Sequence, residues 1–136
     1  MTEYEMASLG TMQATMLDGV LMNFFTILTA YLVAGYAASH RLSFTVAIFL
    51  TALFSVICMY LIARYWAIGS QIIDLIALER VQFLAGKGFT WSVGVRNPPE
   101  RGYVMLDIVV GVMTAAALGS IYMFFLLRRR NRAAGE

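Results

Sequence analysis

Three long apolar stretches dominate the chain, and each is long enough to form a helix that crosses a membrane. The clearest is residues 103–127, which carry one charged side chain, Asp107. As an α-helix this stretch would measure about 37 Å, more than the roughly 30 Å hydrocarbon core of a bilayer. The other two stretches are residues 18–39 and residues 44–63. The pattern therefore predicts an all-α integral membrane protein with three transmembrane helices.

The connections between these stretches differ in length. Residues 40–43 leave room for a tight turn, with Ser43 as the N-cap of helix 2, so helices 1 and 2 are expected to be antiparallel neighbours. Residues 64–102 are a much longer connection and are expected to form an external loop. Within this loop, residues 67–85 mix apolar with charged side chains, which predicts an amphipathic helix rather than another span.

Two courses of the chain fit the amphipathic segment. Either helix 2 continues out of the membrane, straight or bent, or the chain turns at Gly69 and Ser70 and lies in the membrane interface. A continuation, straight or bent, is the favoured course.

Further along, residues 89–95 alternate large apolar with small or polar side chains and allow a short strand or hairpin. The order of residues 97–100 is typical of a helix start, so helix 3 is expected to begin near Pro98.

The N-terminal residues 1–17 are predicted to form a short external tail. Thr15 and Asp18 have the spacing of a capping box, which places the start of helix 1 close to Asp18. The tail contains Glu3 and Glu5 but neither lysine nor arginine. A cleavable signal peptide needs a positive first region, so helix 1 is expected to be retained as an anchor.

Clustered arginines after helix 3 predict the orientation of the chain. Such clusters stay on the cytoplasmic side, so residues 128–136 are expected to be a basic cytoplasmic tail and the N-terminus to lie outside. The basic residues divide five against five between the two sides, but those predicted inside are concentrated beside the helix ends. Residues 1–136 are thus expected to form a single multi-pass domain of a cell membrane, of the bacterial inner-membrane type. The cluster comprises Arg128, Arg129, Arg130 and Arg132.

Composition supports this class and excludes others. Hydrophobic residues make up 60% of the chain and charged residues 13%, against about 25% charged residues in typical soluble domains. The net charge of +2 does not indicate nucleic-acid binding, because four of the ten basic residues are the clustered arginines. These arginines mark topology, and binding of anionic lipid is a second interpretation.

Enzyme chemistry is not expected. The single histidine, His40, and the single cysteine, Cys58, are predicted to lie at different depths and supply neither a catalytic pair nor a metal site. A phosphate-binding glycine loop is also missing. We therefore expect no catalytic residue, metal or cofactor. Aromatic residues near the helix ends, Phe124 among them, are expected to anchor the helices at the two interfaces.

Small and mildly polar residues recur on single faces of the predicted helices. Small residues allow two helices in a membrane to approach closely, so these positions are expected to pack against other helices. Polar groups at membrane depth are candidates for a polar path or pore, although hydrogen bonding between helices is the favoured interpretation for Asn23 and Thr26. For Asp107 the favoured interpretation is a pairing with Arg101 or Arg64 near the interface, or a favourable position at the helix N-terminus. The predicted packing residues are Gly111, Ala115, Gly119, Ala30 and Ala34, and the candidate polar path is Asn23, Thr26 and Asp107.

These features favour a non-enzymatic protein that acts by association. It would self-assemble or serve as an accessory or structural subunit of a larger membrane complex, with the lipid bilayer as its other partner. The alternative is a homo-oligomeric channel for ions or small solutes, lined by helix 1. A third hypothesis is sensing through the external loop around Trp91.

Overall fold

Three long helices make up the computed structural model, which describes residues 2–38, 41–84 and 99–134. Helix α1 comprises Glu3–Ala38, α2 comprises Phe44–Leu84 and α3 comprises Pro99–Ala134. Each is long and apolar enough to cross a membrane. The described part of the chain is therefore all-α and has the architecture of a multi-pass membrane protein, as the sequence predicted. The predicted strand or hairpin at residues 89–95 lies outside the described residues.

The helices are longer than a membrane requires. With 36, 41 and 36 residues, they measure about 54, 61 and 54 Å at the usual helical rise. A bilayer core of roughly 30 Å covers about half of each length. Unless strongly tilted, each helix therefore continues beyond the hydrocarbon region.

Helix α1 begins much earlier than predicted. Its cap is a capping box at Thr2: the Glu5 backbone N–H donates to Thr2 Oγ1 at 3.3 Å, and the Thr2 N–H donates to Glu5 Oε2 at 2.7 Å. The Thr15 hydroxyl instead donates to the Thr11 carbonyl within the helix, 3.0 Å away. The predicted helix start near Asp18 was therefore wrong, because the same motif occurs earlier in the chain.

Helix α2 runs without interruption from the short turn to Leu84. Ser43 caps it as predicted, since Ser43 Oγ accepts the Val46 N–H at 3.3 Å. Of the two courses open from the sequence, the structure has the continuation, so residues 67–84 are part of α2 rather than a separate helix. Gly69 lies within this helix and not at a turn. It marks a close contact, because a Cβ at this position would collide with the Leu106 side chain.

Helix α3 starts within one residue of its predicted position and extends past its predicted end. It begins at Pro99 with Glu100 in its first turn, where a negative charge is favourable. It ends at Ala134, so the four clustered arginines lie on its last turns rather than beyond its predicted end at residue 127. Two compact units form along the chain: a first unit of Met1–Val20 and Ala63–Val110, and a second unit of Leu21–Ile62 and Gly111–Glu136.

The second unit has an aromatic core. Tyr31 of α1 stacks on Phe54 of α2, with ring centroids 4.0 Å apart, and on Phe124 of α3, with centroids 4.8 Å apart. The Thr51 hydroxyl donates to the Ala47 carbonyl at 2.8 Å, so in the 2.9 Å contact between the two hydroxyls that of Tyr31 is the donor. Phe124 is completely buried, so the prediction that it anchors the chain at an interface was wrong.

The first unit packs aliphatic side chains around glycines. Leu106 of α3 is buried and lies against Gly69 of α2, and Ile73 would contact a Cβ at Gly102 at 3.1 Å. Polar contacts accompany this core: Tyr103 Oη donates to Asp74 Oδ1 at 2.6 Å. Side chains from α2 and α3 therefore interlock where glycine leaves space.

The variant Gly35→Ala is expected to destabilise the protein, whereas Gly19→Ala on the same helix is not. A Cβ at Gly35 would lie 2.7 Å from Phe124 Cδ2, and shifting this buried ring costs about 1–3 kcal/mol. A Cβ at Gly19 meets nothing within 4 Å, and alanine is better than glycine in a helix by about 0.5–1 kcal/mol. The measurement is the free energy of unfolding in detergent micelles. Equal effects of the two variants would contradict the packing of Gly35 against Phe124.

Candidate functional site

The small residues of α3 that were predicted to pack face away from the other described residues. Gly111, Ala115 and Gly119 are exposed, and a Cβ built on either glycine meets no atom within 4 Å. They form one stripe along the helix, because positions four apart lie on the same face. The structure thus brings these three residues together on an unoccupied surface of the single chain.

Predicted packing and polar residues of α1 are exposed as well. Ala30 and Ala34 lie on the surface, as do Asn23 and Thr26. The Thr26 hydroxyl donates to the Met22 carbonyl of its own helix at 2.9 Å. Its hydrogen is therefore already used, which is how hydroxyl groups are commonly accommodated in membrane helices. A pore lined by Asn23 and Thr26 would require several copies of the chain.

Asp107 lies on the outer surface of α3. Its side chain is exposed, whereas its neighbour Leu106 is buried in the first unit. The carboxylate is thus turned away from the groove described below. Asp74, another acidic residue of this unit, does make a contact, because it accepts the Tyr103 hydroxyl.

One of the four clustered arginines differs from the others. Arg128 is 4% exposed, whereas Arg129, Arg130 and Arg132 are exposed. Its Nη2 donates to the Leu42 carbonyl at 3.2 Å. The sequence does not distinguish the four arginines. In the structure, Arg128 follows the buried Phe124 by four residues and thus lies on the inner face of α3.

An apolar groove of about 200 Å³ lies in the first unit. Two glycines, Gly69 and Gly102, stand in its wall, and aliphatic side chains supply most of the remaining surface. The groove contains no charged side chain and no nucleophile, so its surface suits a hydrocarbon chain or an apolar side chain. It is lined by Leu17, Tyr65, Gly69, Ile72, Ile73, Gly102, Met105, Leu106 and Val109.

Three further observations concern polar and sulfur-containing side chains. Among the described residues, no group of three or more histidine, cysteine or acidic side chains could hold a metal ion. Cys58 is a free, buried thiol in the second unit. A pair of glutamines, Gln13 and Gln71, makes a long hydrogen bond of 3.4 Å in the first unit.

No known protein-family model, curated protein or solved structure matches this chain.

The variants Leu106→Ala and Asp107→Asn are expected to differ sharply, although the two residues are adjacent. Leu106 is buried against Gly69, and removing a buried leucine side chain costs about 2–5 kcal/mol. Asp107 is exposed, and exposed substitutions usually change stability by less than about 0.5 kcal/mol. Unfolding in detergent micelles measures both. A loss above about 2 kcal/mol for Asp107→Asn would contradict its outward position.

Proposed function

We propose that this is a non-enzymatic integral membrane protein that acts by helix–helix association. It assembles with copies of itself or serves as an accessory subunit of a larger membrane complex. The supporting observation is the exposed stripe of Gly111, Ala115 and Gly119 on α3, which no described part of the chain covers. In a membrane, such a stripe lets a second helix approach closely and gain van der Waals contact.

The position of the stripe around α3 strengthens this proposal. At about 100° per residue, it lies roughly opposite the face that carries the buried Met113, Ala117 and Phe124. The helix thus has one face that packs against its own chain and one face that remains available for a second helix. Large side chains flank the stripe: Val112 is 64% exposed and Leu118 63% exposed. They border a shallow channel that the ridge of a second helix fits.

The double variant Gly111→Leu, Gly119→Leu is expected to lose association. Two leucines fill the channel and keep a second helix away, so we expect at least a tenfold weaker association. The matched control is Ala52→Leu, Ala63→Leu, which adds two leucines to exposed positions of α2. Light scattering in mild detergent and photobleaching in nanodiscs measure the number of chains per particle.

The composition of the wild-type particles distinguishes the two forms of association. Wild-type particles of one polypeptide type indicate self-assembly, and co-purification at a fixed ratio indicates an accessory subunit. Either form must be lost in the α3 variant and kept in the α2 control. Unchanged assembly of the α3 variant would contradict the proposal.

The proposed location is a cell membrane of the bacterial inner-membrane type, with the N-terminus outside and the C-terminus in the cytoplasm. The support is the density of arginines at one set of helix ends, namely Arg41 and the four clustered arginines. In this orientation, the part of α2 beyond residue 63 is external.

Cysteine labelling in intact cells tests this orientation. In a Cys58→Ala background, a membrane-impermeant maleimide is expected to label Thr2→Cys in intact cells. The same reagent is expected to label Ala133→Cys only after the cells are lysed. Both positions lie in the described part of the chain and are exposed. Labelling of position 133 but not of position 2 in intact cells would show the opposite orientation and contradict this part of the proposal.

A further inference from the structure

The guanidinium of Arg128 is buried in the second unit with part of its hydrogen-bonding capacity unused. One nitrogen, Nη2, donates to the Leu42 carbonyl at 3.2 Å, and Cζ lies 5.4 Å from the ring centroid of Phe44. The other nitrogen, Nη1, is inaccessible and has no hydrogen-bond partner among the described residues. A buried donor on a charged group is costly to leave unpaired, so a ligand that satisfies it gains binding energy.

Among its described residues, the second unit has no acidic side chain to balance this cation. Its two sequence segments contain five arginines, Arg41 and the four clustered arginines, but one acidic residue, Glu136, which lies outside the described residues. The other acidic residues of the chain belong to the first unit. A buried charge is normally paired, so the counter-charge for Arg128 is expected to come from another molecule.

The first turn of α2 adds backbone donors at the same place. Arg128 contacts Leu42 and Phe44, which lie on either side of the N-cap Ser43. The first N–H groups of a helix have no partner within the helix, and its N-terminus carries a partial positive charge. Ser43 Oγ uses one of them, the Val46 N–H, and the turn contains no acidic side chain that would use the others. A helix N-terminus beside a forked guanidinium is a favourable arrangement for a phosphate group.

We propose that Arg128 and the first turn of α2 bind the phosphate of an anionic phospholipid. The location identifies the source of the phosphate, because the site lies where the apolar stretches 44–63 and 103–127 end and headgroups begin. The exposed Arg129 and Arg130 attract an anionic membrane surface more generally, while Arg128 forms the specific contact. This site is on a different face of α3 from the small-residue stripe and does not depend on assembly.

Native mass spectrometry of the purified chain tests this proposal. The protein is mixed with phosphatidylglycerol or phosphatidylcholine of identical acyl chains, and the lipid retained per chain is measured. Wild type is expected to retain phosphatidylglycerol at least fivefold more than phosphatidylcholine. The variant Arg128→Gln is expected to lose this preference, whereas Arg130→Gln, the matched loss of an exposed charge, should change it less than twofold.

Two further measurements keep the test decisive. Arg128→Lys keeps a cation but lacks the second guanidinium nitrogen, so it is expected to lower the preference for phosphatidylglycerol at least threefold. Circular dichroism is expected to show that the helices of this variant are intact. Inorganic phosphate in excess is expected not to displace the lipid, and displacement would indicate a site for a soluble anion instead. The proposal is overturned by that displacement, by an unchanged preference in both Arg128 variants, or by equal retention of the two lipids in wild type.

Discussion

Inside a bilayer a backbone N–H or C=O group has no water to bond, and this constraint governs how the chain is built. The described residues meet it with three uninterrupted helices, of which α2 is the longest at 41 residues. Side-chain hydroxyls follow the same rule, because several donate to carbonyls of their own helix. Examples are Thr29 to Phe25 at 2.8 Å and Ser120 to Ala116 at 2.8 Å. These hydroxyls are thus satisfied within their own helices, which leaves the side-chain surfaces free to determine association.

Association within the second unit depends on large rings rather than on small residues. Tyr31 lies between Phe54 and Phe124, so one side chain from each helix joins a single stack. Gly35 takes part by leaving room for Phe124. Gly111, Ala115 and Gly119 of α3 are not needed for this packing and remain exposed. This division of the helix surface is the physical basis for proposing a partner in the membrane.

The sequence predicted the number and type of helices because long apolar stretches are a strong signal. It did not predict which face of each helix packs inward. In a soluble protein polarity separates the two faces, but lipid and protein core are equally apolar, so the exposed Val112 and the buried Met113 cannot be distinguished by hydrophobicity. The start of α1 was misplaced because Thr2 and Thr15 both begin capping-box spacings, and the apolar pattern between them is weak. The special position of Arg128 required the structure, since burial of one arginine in a cluster depends on its neighbours.

The central claim is that the exposed face of α3 has a partner in the membrane. Native mass spectrometry of the wild-type protein, extracted directly from its membrane into nanodiscs, tests this most directly. The account predicts a particle with a defined number of chains or with another polypeptide at a constant ratio. A single chain bound to lipid alone, across membranes of different composition, would contradict it.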